Sequence, residues 1–186
     1  MLYHALDRPD TQFATGRVMQ YVTKPTVLAE ARMKHLARYI HTHPQVVWIF
    51  EQQDWVDEFT IITDADWATD TDTRRSVDCV HIFLGGHLSE TGTSTQHFIA
   101  LSTAESEFYG IIRGAACGLQ LLEFLMEIGL KIKVRVRTDS SAAKGVVKRS
   151  GSGKIKHMAA KHLLIQEVVR QGIVDGTTSD PLHNPA

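Results

Sequence analysis

The chain has 186 residues, 43% hydrophobic and 22% charged, with a net charge of −1, which is the composition of an ordinary globular protein. Two cysteines, Cys79 and Cys117, are too few for a disulfide scaffold and form no metal-binding pair, so a reducing, intracellular setting is expected. No apolar run reads as long enough to span a membrane, and residues 1–10 lack the apolar core of a signal peptide, so neither a membrane partner nor secretion is expected.

Residues 1–50 read as helical. The run from Thr11 to Tyr21 carries Phe13, Val18 and Tyr21, and Pro25 interrupts it. From Thr26 to Ile40, the residues Leu28, Ala31, His35, Leu36 and Ile40 recur at roughly helical spacing, and Pro44 closes the section. His41 and His43 before a proline read as loop and not as a metal site.

Strand periodicity begins at Asp57, where Phe59, Ile61 and Thr63 alternate with Thr60, Ile62 and Asp64. Asp70 to Thr73 reads as a turn. A second apolar run, Val77 to Leu84, stops at Gly85-Gly86, and a third strand is expected at His97 to Leu101 after a polar loop. Ser102 to about Ile128 reads as a long helix ended by Gly129, with Phe108, Ile111, Ile112, Ala115, Leu119 and Leu122 as its apolar stripe. In the next strand, Lys131 to Thr138, Ile132, Val134 and Val136 alternate with Lys131, Lys133, Arg135 and Arg137. Asp139-Ser140-Ser141 opens a short helix, a last helix covers Lys154 to Gln171, and Gly176 to Ala186 reads as a frayed polar tail.

Charge is unevenly spread. From Lys131 to His162, ten Lys and Arg stand against one acid, Asp139, while the rest of the chain carries ten against twenty. Clustered cations bind phosphates with release of counterions, so this stretch fits a polyanionic partner, with a solvated cationic face as the alternative.

Three acids stand where elements begin or end: Asp64 near the exit of the first strand, Glu107 in the first turns of the long helix, and Asp139 after the fourth strand. Ligands bind open sheets at strand ends, so these acids can converge on a divalent cation. Asp139 also reads as a helix N-cap, and Asp64 and Asp66 share a strand face, so either can be the inward acid. Glu105 and Glu107 separate on physical grounds. Ser102-Thr103-Ala104-Glu105 has the capping-box pattern, whereas Glu107 falls in line with Ile111, Gly114 and Ala115 on the buried stripe. A carboxylate there is costly without a metal or partner, which makes Glu107 the better ligand.

These residues carry a resemblance. Thr63-Asp64-Ala65-Asp66-Trp67-Ala68, Asp72-Thr73-Arg74-Arg75-Ser76 and Phe83-Leu84-Gly85-Gly86 resemble the start of the ribonuclease H domain of copia-type retrotransposon Pol polyproteins. Residues 100–109 resemble its ALSSTEAEY segment, residues 138–142 its CDNQSA and Lys156-His157 its TKHID. Residues 8–14 and 35–40 are similar to the stretch joining it to the reverse transcriptase. The resemblance implies an α/β ribonuclease H-like fold: a mixed sheet, three antiparallel strands followed by a parallel one, flanked by helices. It implies a helical remnant of the reverse transcriptase region over 1–50, the ribonuclease H-like domain over 57–174 and a disordered tail over 175–186.

The activity so implied is two-metal hydrolysis, with Mg²⁺ or Mn²⁺, of the RNA strand of an RNA–DNA hybrid, without a small-molecule cofactor and within a Pol polyprotein. Asp64, Glu107 and Asp139 take the catalytic and metal-binding positions. Lys144, Lys148, Arg149, Lys154 and Lys156 become candidate phosphate contacts, beside the cations of the fourth strand.

Three departures accompany the match. The family's fourth acid would fall beyond Ala186, so the last strand reads as truncated and the chain as a fragment, with Asp175 and Asp180 as conceivable stand-ins. Residues 88–96 replace a loop that carries tryptophan and lysine. Ala159 and Leu163 stand where the family has aspartate and histidine. These departures open a second reading: a decayed copy that folds and binds nucleic acid without cutting it.

Overall fold

The computed structural model describes residues 2–141, Gly145, Val168, Gly172 and residues 174–178. Two compact units are present, residues 1–51 with 92–94, and residues 52–91 with 95–186.

The first unit holds α1 (Leu2–Leu6), α2 (Pro9–Met19) and α3 (Val27–Thr42). Pro9 starts α2 two residues ahead of the expected run, because its fixed φ and missing N–H suit a first helical turn. Thr26 caps α3, its side chain accepting from the Ala29 N–H at 3.1 Å. The buried positions of α3 are Ala29 and Leu36, seven residues apart, whereas Leu28, Ala31 and His35 of the expected stripe are exposed. Polar groups tie this unit together. Buried Arg8 donates to both carboxylate oxygens of Asp10 (2.9 and 2.7 Å) and to the His43 carbonyl (2.9 Å), and the Tyr39 hydroxyl donates to Asp10 (2.9 Å). His43 stacks on Tyr39 at the end of α3, whereas His41 lies in the last turn of that helix and not in the expected loop.

Apart from residues 92–94 of β3, the second unit is a five-stranded sheet ordered β3-β2-β1-β4-β5 with α4 against it. Its elements are β1 (Glu58–Asp66), β2 (Val77–Leu84), β3 (His87–Thr95), α4 (Thr103–Glu127), β4 (Lys133–Thr138) and β5 (Val174–Thr178). β1 runs antiparallel to β2 and parallel to β4, and β5 runs parallel to β4. Ile61, Val80, Ile82, Phe108, Ile111, Ala115, Val134, Val136 and Val168 form the core.

Two expectations about strands are corrected. The third strand is not residues 97–101, where Phe98, Ile99 and Leu101 are exposed, but the stretch expected as a polar loop. β3 lies at the sheet edge, where the backbone supplies the pairing and no apolar face is needed. Gly85-Gly86 makes a two-residue hairpin turn, with Gly85 at φ +60. Gln53 clamps it, donating to the Leu84 carbonyl and accepting from the Gly86 N–H, both at 3.0 Å. Second, the polar stretch from Val174 to Thr178 is a short fifth strand and not the start of a frayed tail. Residues 179–186 lie outside the described residues.

α4 has the expected ends. The Ser102 hydroxyl accepts from the Glu105 N–H, and the Glu105 carboxylate accepts from the Leu101 N–H at 2.8 Å. At the other end Gly129 (φ +76) donates to Met126 and Leu130 donates to Leu125, the paired bonds of a Schellman cap. Its buried line includes Gly110, Gly114 and Gly118, which let the helix lie close on the sheet. A Cβ on Gly114 would come within 2.4 Å of Thr63 Cγ2 and 3.2 Å of Val136 Cγ1. By length and composition alone α4 meets the measure of a membrane-crossing helix. Here it is a core helix packed on β1, β2 and β4.

Candidate metal centre

Parallel pairing of β1 with β4 sets Ile62 opposite Arg137. Two residues further along the two chains stand Asp64 and Asp139, so both acids emerge at the same end of neighbouring strands. α4 crosses that end in its second turn and brings in Glu107. One carboxylate oxygen from each of Asp64, Glu107 and Asp139 lies within 4.8 Å of the others. The structure therefore brings together all three acids singled out from the sequence. Asp66, the other acid on the Asp64 face, is exposed.

Glu107 is the unusual member. It is only 7% exposed, and its Oε2 is buried with no hydrogen-bond partner among the described residues. Burial, then the charges of Asp64 and Asp139, push its pKa up to about 8, while the Ala65 backbone N–H works in the opposite direction. Asp64 accepts from the Ala65 N–H at 2.9 Å, and the Ser140 N–H donates to the Thr138 hydroxyl at 3.2 Å. Three hard oxygen donors and one orphaned buried carboxylate oxygen fit a divalent cation such as Mg²⁺, whose charge would satisfy Oε2 and offset the mutual repulsion.

Sequence reading missed a buried layer beneath these acids. Asp78 of β2 is buried, and Gln96 Nε2 donates both to its Oδ1 and to the Ser106 carbonyl (2.9 Å). Arg113 donates to the Asp78 carbonyl at 3.2 Å. Burial pushes Asp78 up to about 6, against the Gln96 hydrogen bond and the Arg113 charge, and Asp78 in turn raises Glu107. The available signal was an acid inside an otherwise apolar strand.

The Asp70 turn is built around its own side chain. Asp70 Oδ1 accepts from the Asp72 and Thr73 N–H groups (3.0 and 3.1 Å), and the Arg74 N–H donates to the Asp70 carbonyl. The Trp67 indole donates to the Ala100 carbonyl at 2.9 Å, joining the loop after β1 to the segment before α4. The β4 cations face acids: Lys133 pairs with Asp57 (2.9 Å), and Arg135 and Arg137 approach Glu58 (3.1 and 3.8 Å). The candidate phosphate contacts Lys144, Lys148, Arg149, Lys154 and Lys156 lie outside the described residues.

No family model matches the chain. Among solved structures, LC11-RNase H1, isolated from compost, aligns with a TM-score of 0.52 over 69% of this chain and 89% of that chain, at 14% identity. The fold is that of ribonuclease H. Among curated proteins, the retrovirus-related Pol polyprotein from transposon RE2 of Arabidopsis thaliana is 26% identical over 186 residues, which is 97% of this chain. The corresponding polyprotein from transposon TNT 1-94 of Nicotiana tabacum is 30% identical over 165 residues, 87% of this chain. The chain spans 13% and 12% of the lengths of these two relatives. The copia-type resemblance carried by the motifs thus extends over nearly the whole chain, and Asp64 and Asp139 sit at strand ends of a ribonuclease H fold with Glu107 on the helix beside them.

Proposed function

We propose that this chain supplies the ribonuclease H activity of a retrotransposon Pol polyprotein, hydrolysing the RNA strand of an RNA–DNA hybrid to 5′-phosphate and 3′-hydroxyl ends. The observation that carries this reading is the meeting of Asp64, Glu107 and Asp139 with one buried carboxylate oxygen unpartnered. The family resemblance supplies the substrate class, and residues 1–50 correspond in this reading to the tail of the reverse transcriptase region.

Asp64 and Asp139 would share the divalent cations from two neighbouring strands, and Glu107 would support from the helix the ion that activates water. When bound, Mg²⁺ or Mn²⁺ supplies electrophilic stabilisation of charge developing on the phosphodiester oxygens and lowers the pKa of water. The protein contributes a rigid frame. Both strands are fixed by sheet pairing, and Glu107 is fixed by the capped first turns of α4. Burial of Glu107 makes its ionised form costly unless a cation is present, so loading the site displaces a proton from it.

The test is cleavage of an RNA–DNA hybrid by the purified chain with Mg²⁺ or Mn²⁺, beside Asp139→Asn. The expected outcome is cutting that falls by at least about a hundredfold in the variant, the scale of a lost charge-stabilising group. Salt-sensitive binding of the hybrid with no cutting by the unaltered chain overturns the reading and leaves a nucleic-acid-binding remnant.

A further inference from the structure

The sheet face opposite α4 carries a second group of metal-ligating side chains. Ile61, Thr63 and Val136 lie towards Gly114, so strand alternation turns Ile62 and Asp64 to the other face. On β2, Cys79 pairs with Asp64 and His81 with Ile62, which places both on that same face. Cys79 Sγ lies 3.1 Å from His81 Nε2, and His81 Nδ1 lies 2.8 Å from the Thr91 hydroxyl on β3. Both contacts are satisfied at once when the imidazole donates through Nδ1 to Thr91 and accepts the thiol proton at Nε2.

That is the arrangement of a metal-binding histidine, whose second nitrogen is oriented by an oxygen acceptor. Tetrahedral zinc bonds of about 2.3 Å to sulfur and about 2.0 Å to nitrogen separate the two ligands by roughly 3.5 Å, so the pair needs to open by only about half an ångström. Cys79 and His81 are both only half-buried, leaving a route for an ion.

We propose that Cys79 and His81 form a binding site for a soft divalent cation of the zinc type, with water in the remaining positions. Cys79 ligates as the thiolate, its proton passing to solvent, and His81 ligates through Nε2. Under the nuclease reading, on which this consequence rests, an ion held by the pair beside Asp64 repels a second divalent charge at the Mg²⁺ centre. Zinc then inhibits cutting, and Cys79→Ser relieves the inhibition.

The binding claim is tested without any cutting. Cobalt(II) is titrated into the chain while thiolate-to-metal charge-transfer absorption is recorded, and zinc is then added to displace it. The band is expected for the unaltered chain and for Cys117→Ser, and is absent from Cys79→Ser and Cys79→Ala. Thr91→Val leaves both ligands in place and weakens binding by about tenfold, the scale of a lost orienting partner. Metal-free melts identify any variant that fails to fold, and the Thr91→Val comparison then still decides. An unaltered chain with no band, a band that survives in Cys79→Ser, one lost in Cys117→Ser, or unchanged affinity in Thr91→Val overturns the proposal.

Discussion

Glu105 and Glu107 are two residues apart in one helix, yet they have opposite relations to stability. Glu105 accepts a backbone hydrogen bond at the α4 terminus, so Glu105→Ala is expected to lower unfolding free energy by about 1 kcal/mol, the usual scale for a lost cap. Glu107 has its pKa raised to about 8, so the folded state binds its proton more tightly than the unfolded chain does. Without metal, its contribution is fully present at low pH and is lost as pH rises from the ordinary carboxylate range through about 8. Glu107→Gln should therefore raise the metal-free melting temperature at pH 8, by the few degrees that correspond to about 1 kcal/mol, and abolish stabilisation by Mg²⁺. Melts with and without Mg²⁺ check both substitutions, and exchanged effects would show that the two roles are reversed.

Asp78 obeys the same sign in a different window. With its pKa pushed up to about 6, it favours folding below the ordinary carboxylate range and loses that contribution as pH rises through 6. Asp78→Asn keeps an oxygen to accept from Gln96 and is expected to stabilise the protein by roughly 1–3 kcal/mol at pH 7. The difference should shrink towards pH 4 in urea unfolding curves, and a gap independent of pH would remove Asp78 as its source.

At the level of elements, the glycines of the helices make opposed predictions. Gly114→Ala places a methyl group against Thr63 and Val136, and should cost about 1–3 kcal/mol, the scale of an overpacked core. Gly16→Ala in α2 meets nothing within 4 Å and should gain up to about 1 kcal/mol from helix propensity. Chemical denaturation of both variants tests the close approach of α4 to the sheet. The ends of α4 were legible because caps are local: Ser102, Glu105 and Gly129 act on their own backbone neighbours. β3 was not legible, because an edge strand reads as a polar loop until its partner is known. The apolar Phe98 and Ile99 drew the expectation to residues 97–101 instead. In α3, Leu28 suggested an inward face, while the face used is that of Ala29 and Leu36.

Across the molecule, the candidate site was legible as three acids at element ends, since each position follows from local pattern. Their convergence was not legible, because it depends on the parallel pairing of β1 with β4. The Asp78–Gln96 layer and the Cys79–His81 pair were missed for the same reason: each is a product of strand register, not of spacing in one segment. Convergence predicts shared loss. Saturating Mg²⁺ should stabilise the chain by about 2.7 kcal/mol at a hundredfold excess over its Kd, and Asp64→Asn and Asp139→Asn should each remove most of this. Loss with one substitution alone, read by calorimetry, would argue for separate sites.

The hydrogen bond from the Thr63 hydroxyl to the Arg137 carbonyl bridges 74 positions of chain. Closing a loop of such length carries a large entropic cost, so pairing of β1 with β4 is expected to limit the folding rate. While the polypeptide is being synthesised, Asp64 and Glu107 emerge well before Asp139. The cation grip thus waits for β4, and a chain interrupted ahead of that strand leaves the β1 edge bare and exposed to aggregation.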